Sequence, residues 1–344
     1  MRRAYAYMTL MVVCWAVSPA ILKALLQAEG EGRRLTPLEV AFWAVLLGWV
    51  ALGAVIAARG RLGRVREVSG RGWVVLVLMG FFGWSGYEVA LIVAFAHLPL
   101  PDAIVINYLH PVFVVVFQGA MFGSVVRLVS GWERAPEVKG ERNLVRIVVG
   151  LGLCLLGVAV IATEGRLVAL GGARSTVGAA VALFAAVAWG VYSNLGRFVA
   201  MRPGCEARGM GDVQTWLAMT FGVVMMGLVL LARGGTETPT GYQAAIYLGG
   251  WGPARVAAWV LMAISGVVVY CGGFTLWLVA LELAAREGQE HKLPPLTYAT
   301  PALAVALGCL LLREPFGPGF WEGAGLVAAG NVINVWPGKG GVRG

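Results

Sequence analysis

The sequence predicts an all-α polytopic membrane protein, with ten transmembrane helices forming two inverted five-helix repeats around a central cavity. Three observations carry that expectation. Hydrophobic residues fill 59% of 344 positions and charged residues only 13%, with a mean hydropathy of +0.77; a soluble domain would carry about a quarter charged residues. The apolar stretches divide into ten segments, each near the ~20 residues a helix needs to cross ~30 Å of hydrocarbon. A set of motifs also occurs twice, in the same order.

The ten segments run 5–27, 37–58, 73–97, 101–125, 144–163, 176–200, 213–232, 255–283, 293–312 and 319–336. Two arginines precede the first, but its apolar run continues through Leu26 and further spans follow, so it reads as a retained helix rather than a cleaved signal. The third and fourth are separated by the tight HLPLPD turn, where Pro99 and Pro101 stop one helix and start the next. The longest loop, 233–254, contains GGTETPTG and GGWGP and has room for a short interfacial segment.

The repeated motifs open and close each half. Trp15 is followed by Lys23, then NYLHP at 107–111, then Gly150, Gly152 and Gly157; Trp189 is followed by Arg197, then TYATP at 297–301, then Gly323, Gly325 and Gly330. Offsets between copies are 174 for the Trp element, 190 for Tyr-x-x-Pro and 173 for the glycines. Five spans per copy is an odd number, so the second copy enters the membrane from the opposite side. The boundaries predicted are 1–165 for the first repeat, 172–337 for the inverted second, and 338–344 for a cytoplasmic tail.

The net charge of +9 reports topology rather than a nucleic-acid partner. Termini and even-numbered loops hold eighteen Lys and Arg, odd-numbered loops seven, and Lys23 and Arg197 sit at span ends. That bias places both termini in the cytoplasm. The five cysteines show no paired spacing, and no metal-ligand cluster or ATP-binding motif stands out. No metal or cofactor is expected.

Charged and polar groups within spans mark the candidate site, because burying them in lipid is costly. Glu88 lies halfway along the third segment, with Trp84 one turn earlier and Tyr87 beside it. Asn107 and His110 share a face of the fourth, and Pro111 frees the Asn107 carbonyl and permits a kink; Pro301 does the same to Thr297, beside Tyr298 and Thr300. Trp15 and Ser18 answer to Trp189, Tyr192 and Asn194 across the repeat. Each has a plainer reading: Glu88 pairing with His110 or Lys23 to hold helices, tryptophans as packing or interfacial anchors, Lys23 and Arg197 as topology or gate charges, and the motif glycines as packing residues.

These elements resemble the drug/metabolite transporter superfamily, specifically its ten-helix EamA-type members with two fused repeats. The closing stretch LTYATPALAVALGCLLLREPFGPGFWEGAGLVAAGNVI carries that family's Tyr-x-x-Pro, its acidic residue (at 314) and its Gly-rich last helix, and INYLHPVFVVVFQGAMFG is similar to the aromatic amino acid exporter branch. His110 stands where that branch usually has Trp, and Thr297 where it has Ser. The resemblance implies a secondary-active exporter of small metabolites, such as aromatic amino acids, in the bacterial inner membrane. The expected partners are lipid, a small molecule and, through Glu88 with His110, protons as a coupling ion; monomer and homodimer both stay open. Other transported classes (drugs, nucleotide sugars, polyamines), a channel and a polytopic membrane enzyme are the competing readings, the last disfavoured by three widely spaced histidines.

Overall fold

The computed structural model describes residues 2–30, 33–117, most of 149–160, 173–199, 201–202, 205, 209–247, 253–285, 297, 299–313, 315–317 and 319–335. The tail 338–344, Tyr298 and Glu314 lie outside the described residues.

Helix α1 spans Arg2–Leu26 and α2 spans Pro37–Ala58. Helix α2 begins where Thr36 and Glu39 cap each other's backbone N–H groups and Pro37 takes a first-turn position whose N–H would be unpaired anyway. The third span, α3, runs Gly70–His97 and starts at a Ser69 cap; its middle, Gly80–Gly86, is π-helical. The fourth is broken: α4 (Leu100–Asn107) and α5 (His110–Phe117) are separated by a turn at Tyr108 and Leu109. Next come helical turns within 149–160, α6 (Ala173–Leu195) and α7 (Gly211–Ala232). Span α8 consists of Ala258–Ala263, a π-helical Ile264–Gly273 and Phe274–Ala285. Helices α9 (Ala299–Leu312) and α10 (Phe320–Val335) close the chain. Among the described residues, six helices are long and apolar enough to cross a membrane. The chain is a multi-pass membrane protein.

One expectation needs correction. The fold is not purely helical: β1 (Glu29–Gly30), β2 (Arg33–Arg34), β3 (Gln243–Tyr247) and β4 (Pro253–Ala257) form an antiparallel sheet in the order β2-β1-β3-β4. The long loop is therefore a β-hairpin, registered Gln243 to Ala257 and Tyr247 to Pro253. Beyond the helix ends the backbone must find other hydrogen-bond partners, and the loop of the first half supplies some to the loop of the second. The described part of α9 starts at Ala299; residues 293–296 and Tyr298, on the side that Pro301 was expected to kink, lie outside the described residues.

The connections sort to two ends of the bundle. At one end lie the sheet, the Arg313 guanidinium 4.5 Å over the Tyr247 ring, Gly317 close against Asp102, and Gly178 against His97 and Leu98. At the other end of α2, about 33 Å away by helical rise, Arg61 holds Asp212 and the Gly209 carbonyl, and the Arg202 N–H donates to the Glu67 carbonyl at 2.7 Å.

Two contacts between the halves rest on glycine. A Cβ on Gly266 in α8 would lie 2.7 Å from the Gly48 nitrogen of α2, and one on Gly80 in α3 would lie 3.0 Å from the Gly222 nitrogen of α7. Two of the motif glycines behave alike: a Cβ on Gly157 would stand 2.6 Å from the Gly323 carbonyl and one on Gly330 would meet the Gly150 carbonyl, while the Cys154 thiol reaches the Val327 carbonyl at 3.6 Å; Gly152 and Gly325 face open space. Contacts that rise along one helix while falling along the other mean antiparallel packing.

Candidate functional site

The predicted residues of the first and second halves meet in one aromatic cluster. From α1, Trp15 lies edge-on to Trp189 of α6 at 6.4 Å between centroids. From α3, Tyr87 packs on Trp189 at 4.8 Å and Trp84 on Tyr192 at 6.3 Å. Trp189 and Tyr192 themselves lie 5.2 Å apart. The break between α4 and α5 brings in His110, whose ring stands 6.0 Å from Trp189. Trp84 is fully buried, whereas Trp15, Tyr87, His110 and Trp189 each keep a partly accessible surface.

Three members come from α8 and were not among the predicted residues. Phe274 lies 5.3 Å from Trp15, 5.1 Å from Trp84 and 6.2 Å from Trp189. Trp277 stacks on Trp15 at 5.9 Å, and Tyr270 stands edge-on to Trp84 at 5.7 Å. In a run of apolar residues, aromatic side chains do not announce whether they face lipid or the interior. A signal was nevertheless present. The 190-residue offset of the Tyr-x-x-Pro element carries Gly83-Trp84-Ser85 and Tyr87 onto Gly273-Phe274-Thr275 and Trp277. Both stretches follow or overlap a π-helical segment, a backbone slip often found at functional sites.

Glu88 is 4% exposed and accepts a hydrogen bond from the Tyr270 hydroxyl at 2.8 Å. The pairings expected for it, with His110 or Lys23, do not form. His110 Nδ1 lies 3.2 Å from the Asn107 carbonyl, the group that Pro111 leaves without a helical donor. Because a carbonyl only accepts, that nitrogen carries the proton and Nε2 keeps a lone pair. Lys23 lies two turns beyond Trp15 and donates to the carbonyls of Phe95 (2.5 Å) and Leu98 (2.9 Å) at the end of α3, where helical donors run out.

The remaining predicted residues divide. One end of the Asn107 amide bonds the Tyr87 hydroxyl at 3.3 Å, while the other end is buried without a partner among the described residues. Asn194 spends its amide N–H groups on the Val114 and Gly190 carbonyls at 3.1 and 2.9 Å, tying α6 to α5. Ser18 is half-buried one turn beyond Trp15. Thr297 is half-buried and Thr300 buried.

Comparison with known proteins follows this geometry. The model of the EamA-like transporter family matches residues 2–131. That segment is similar to EamA-like transporter domains. It holds α1 to α5, and with them Trp15, Trp84, Tyr87, Glu88, Asn107 and His110. Over 327 residues, 95% of this chain and 91% of the other, the sequence is 29% identical to a protein of Streptantibioticus cattleyicolor described as "Probable terminal-alkyne amino-acid exporter". A crystal structure 19% identical in sequence superposes with a TM-score of 0.52 over 96% of this chain and 95% of that one, a likeness of fold alone. The EamA-like segment thus supplies the acid of the cluster, and α6 and α8 supply five of its rings.

Proposed function

We propose that this chain is a secondary-active exporter of small metabolites, amino acids with apolar or aromatic side chains among them, across the bacterial inner membrane. The observation that carries the proposal is the cluster itself. Helices α1, α3, α6 and α8, drawn from both halves, converge on aromatic rings and one buried carboxylate. Rings offer a surface for an apolar side chain, and a buried carboxylate marks a polar ligand group or a coupling ion. The similarity to a named amino-acid exporter supports the same class of substrate.

The architecture proposed is ten helices in two inverted five-helix repeats, 1–165 and 172–337, with a short tail and both termini cytoplasmic. The antiparallel glycine contacts support it: an offset of 173 carries Gly150 to Gly323, Cys154 to Val327 and Gly157 to Gly330, so the set of contacts maps onto itself in reverse. Such a repeat allows two halves to rock around a shared site. Glu88 is the proposed coupling group. The test is counterflow in proteoliposomes with a panel of amino acids, amines and sugars. Exchange of radiolabelled phenylalanine or tryptophan is expected, and silence across all amino acids would reject this reading. If Glu88→Gln leaves both the rate and its pH dependence unchanged, proton coupling through Glu88 is wrong.

A further inference from the structure

The cluster leaves three acceptors available, beside one buried ring donor without a partner among the described residues, the Trp84 Nε1–H. The second oxygen of Glu88, Oε1, takes no hydrogen bond from the described residues; its Oε2 receives the neutral Tyr270 hydroxyl. The buried amide oxygen of Asn107 has no partner, and Tyr87, which that amide bonds through its other end, is the chain neighbour of Glu88. His110 Nε2 keeps a lone pair because Nδ1 is committed to the Asn107 carbonyl.

The buried charges elsewhere are accounted for. Among the described residues they are Lys23, Glu39, Glu88, Asp102 and Asp212. Lys23 sits on the carbonyls ending α3, Glu39 caps α2 and accepts from the Glu237 N–H, Asp102 lies against Gly317, and Asp212 pairs with Arg61. None of these brings a cation to the rings. A carboxylate buried among aromatic rings, with one phenol as its described donor, is undercompensated when ionised. An ammonium group corrects that: it carries donors and no acceptor, and it is attracted to ring faces. A substrate carboxylate would find the Trp84 Nε1–H but no described cation, and would stand against the charge of Glu88.

We infer that the group this site recognises in its substrate is an ammonium, held by Glu88 and Asn107 among the rings of Trp84, Tyr87 and Tyr270, and that a carboxylate on the substrate is not required. The inference rests on the transporter reading above and narrows it to apolar amines, of which amino acids are one case.

Three probes that share a phenyl ring separate the possibilities: phenylalanine, phenethylamine (which lacks the carboxylate) and 3-phenylpropionate (which lacks the ammonium). Each is tested as a competitor of labelled phenylalanine and, separately, of labelled phenethylamine in proteoliposomes. Phenethylamine is expected to compete at least as well as phenylalanine, and 3-phenylpropionate about tenfold more weakly or not at all, the value of one charge-assisted hydrogen bond. Thermal stabilisation of the detergent-solubilised protein by phenethylamine is expected to fall about tenfold in apparent affinity in Glu88→Gln. That substitution keeps the shape of the side chain and an acceptor for Tyr270, and Glu88→Asp should retain part of the response.

Exchange of phenylalanine without competition by phenethylamine overturns this inference and leaves amino-acid export standing. Competition by phenethylamine without exchange of phenylalanine supports the inference and removes amino acids as substrates. Competition by 3-phenylpropionate equal to that of phenylalanine overturns it, as does unchanged stabilisation in a folded Glu88→Gln. Silence from all three probes removes both readings.

Discussion

The π-helical stretch of α3 and that of α8 are built alike and do different chemistry. Each packs a glycine against a glycine of the opposite half, Gly80 on Gly222 and Gly266 on Gly48. Each also brings a glycine hard against an aromatic ring of a helix that opens a half, Gly83 on Tyr192 and Gly273 on Trp15. The 190-residue offset then exposes the difference. Glu88 corresponds to Leu278, and Tyr270 corresponds to Gly80. The hydrogen bond between Glu88 and Tyr270 thus joins two positions at which the other half has no polar group. What is repeated holds the halves together; what is unrepeated makes the polar end of the site.

The largest effect should come from breaking the shared part. Gly222→Val and Gly266→Val each place a branched side chain where even a Cβ has no room; on Gly266 it would lie 2.7 Å from the Leu47 Cβ and 2.8 Å from the Ala44 carbonyl. Overpacking of this kind costs about 1–3 kcal/mol and more where backbone cannot yield. Both variants are expected to lose folded protein to a similar extent, read as a drop in the detergent melting temperature by thermal aggregation. A loss confined to one of them would mean that the two stretches are not equivalent scaffolds.

The unrepeated part can be tested by moving it. Glu88→Leu is expected to abolish transport while the protein stays folded, because leucine removes a buried acid without leaving a charge behind. Adding Leu278→Glu restores the acid at the corresponding position of the second half. Transport should not return, since Leu278 packs 2.8 Å from where a Gly211 Cβ would lie, at the start of α7 and away from the rings. Recovery in the double variant, measured by proteoliposome uptake, would show that the acid needs only to be near the bundle axis rather than in this cluster.

Much of this arrangement was legible in the sequence, and the omissions have physical causes. Segment 37–58 is α2 to the residue, because its cap, its proline and its apolar run all mark the same boundaries. The break at Asn107–His110 followed from Pro111. The Trp15 and Trp189 pairing followed from their equivalent places in the repeat, and the two rings do meet. The π-helical stretches were not legible, since a change from i→i+4 to i→i+5 pairing leaves no residue signature. The sheet was missed because strands as short as Glu29–Gly30 and Arg33–Arg34 carry no alternation to read. Glu88 was matched to cations because charge is visible in a sequence; a phenol 182 residues away is not, until the two π-helical stretches are packed side by side.

The smallest expected effect is the most discriminating. Tyr270→Phe keeps the ring that stands 5.7 Å from Trp84 and removes only the hydroxyl that donates to Glu88. Packing is unchanged, so the loss is one hydrogen bond, about 0.5–1.5 kcal/mol. An ammonium ligand offsets that loss by supplying a donor of its own, so the variant should be less stable than the parent when empty and closer to it when saturated with phenethylamine. The two melting curves, with and without the amine, measure this difference directly. A deficit that ignores the ligand would place the Tyr270 hydroxyl in the scaffold of α8, alongside the glycines, rather than in the unrepeated chemistry that separates the two halves.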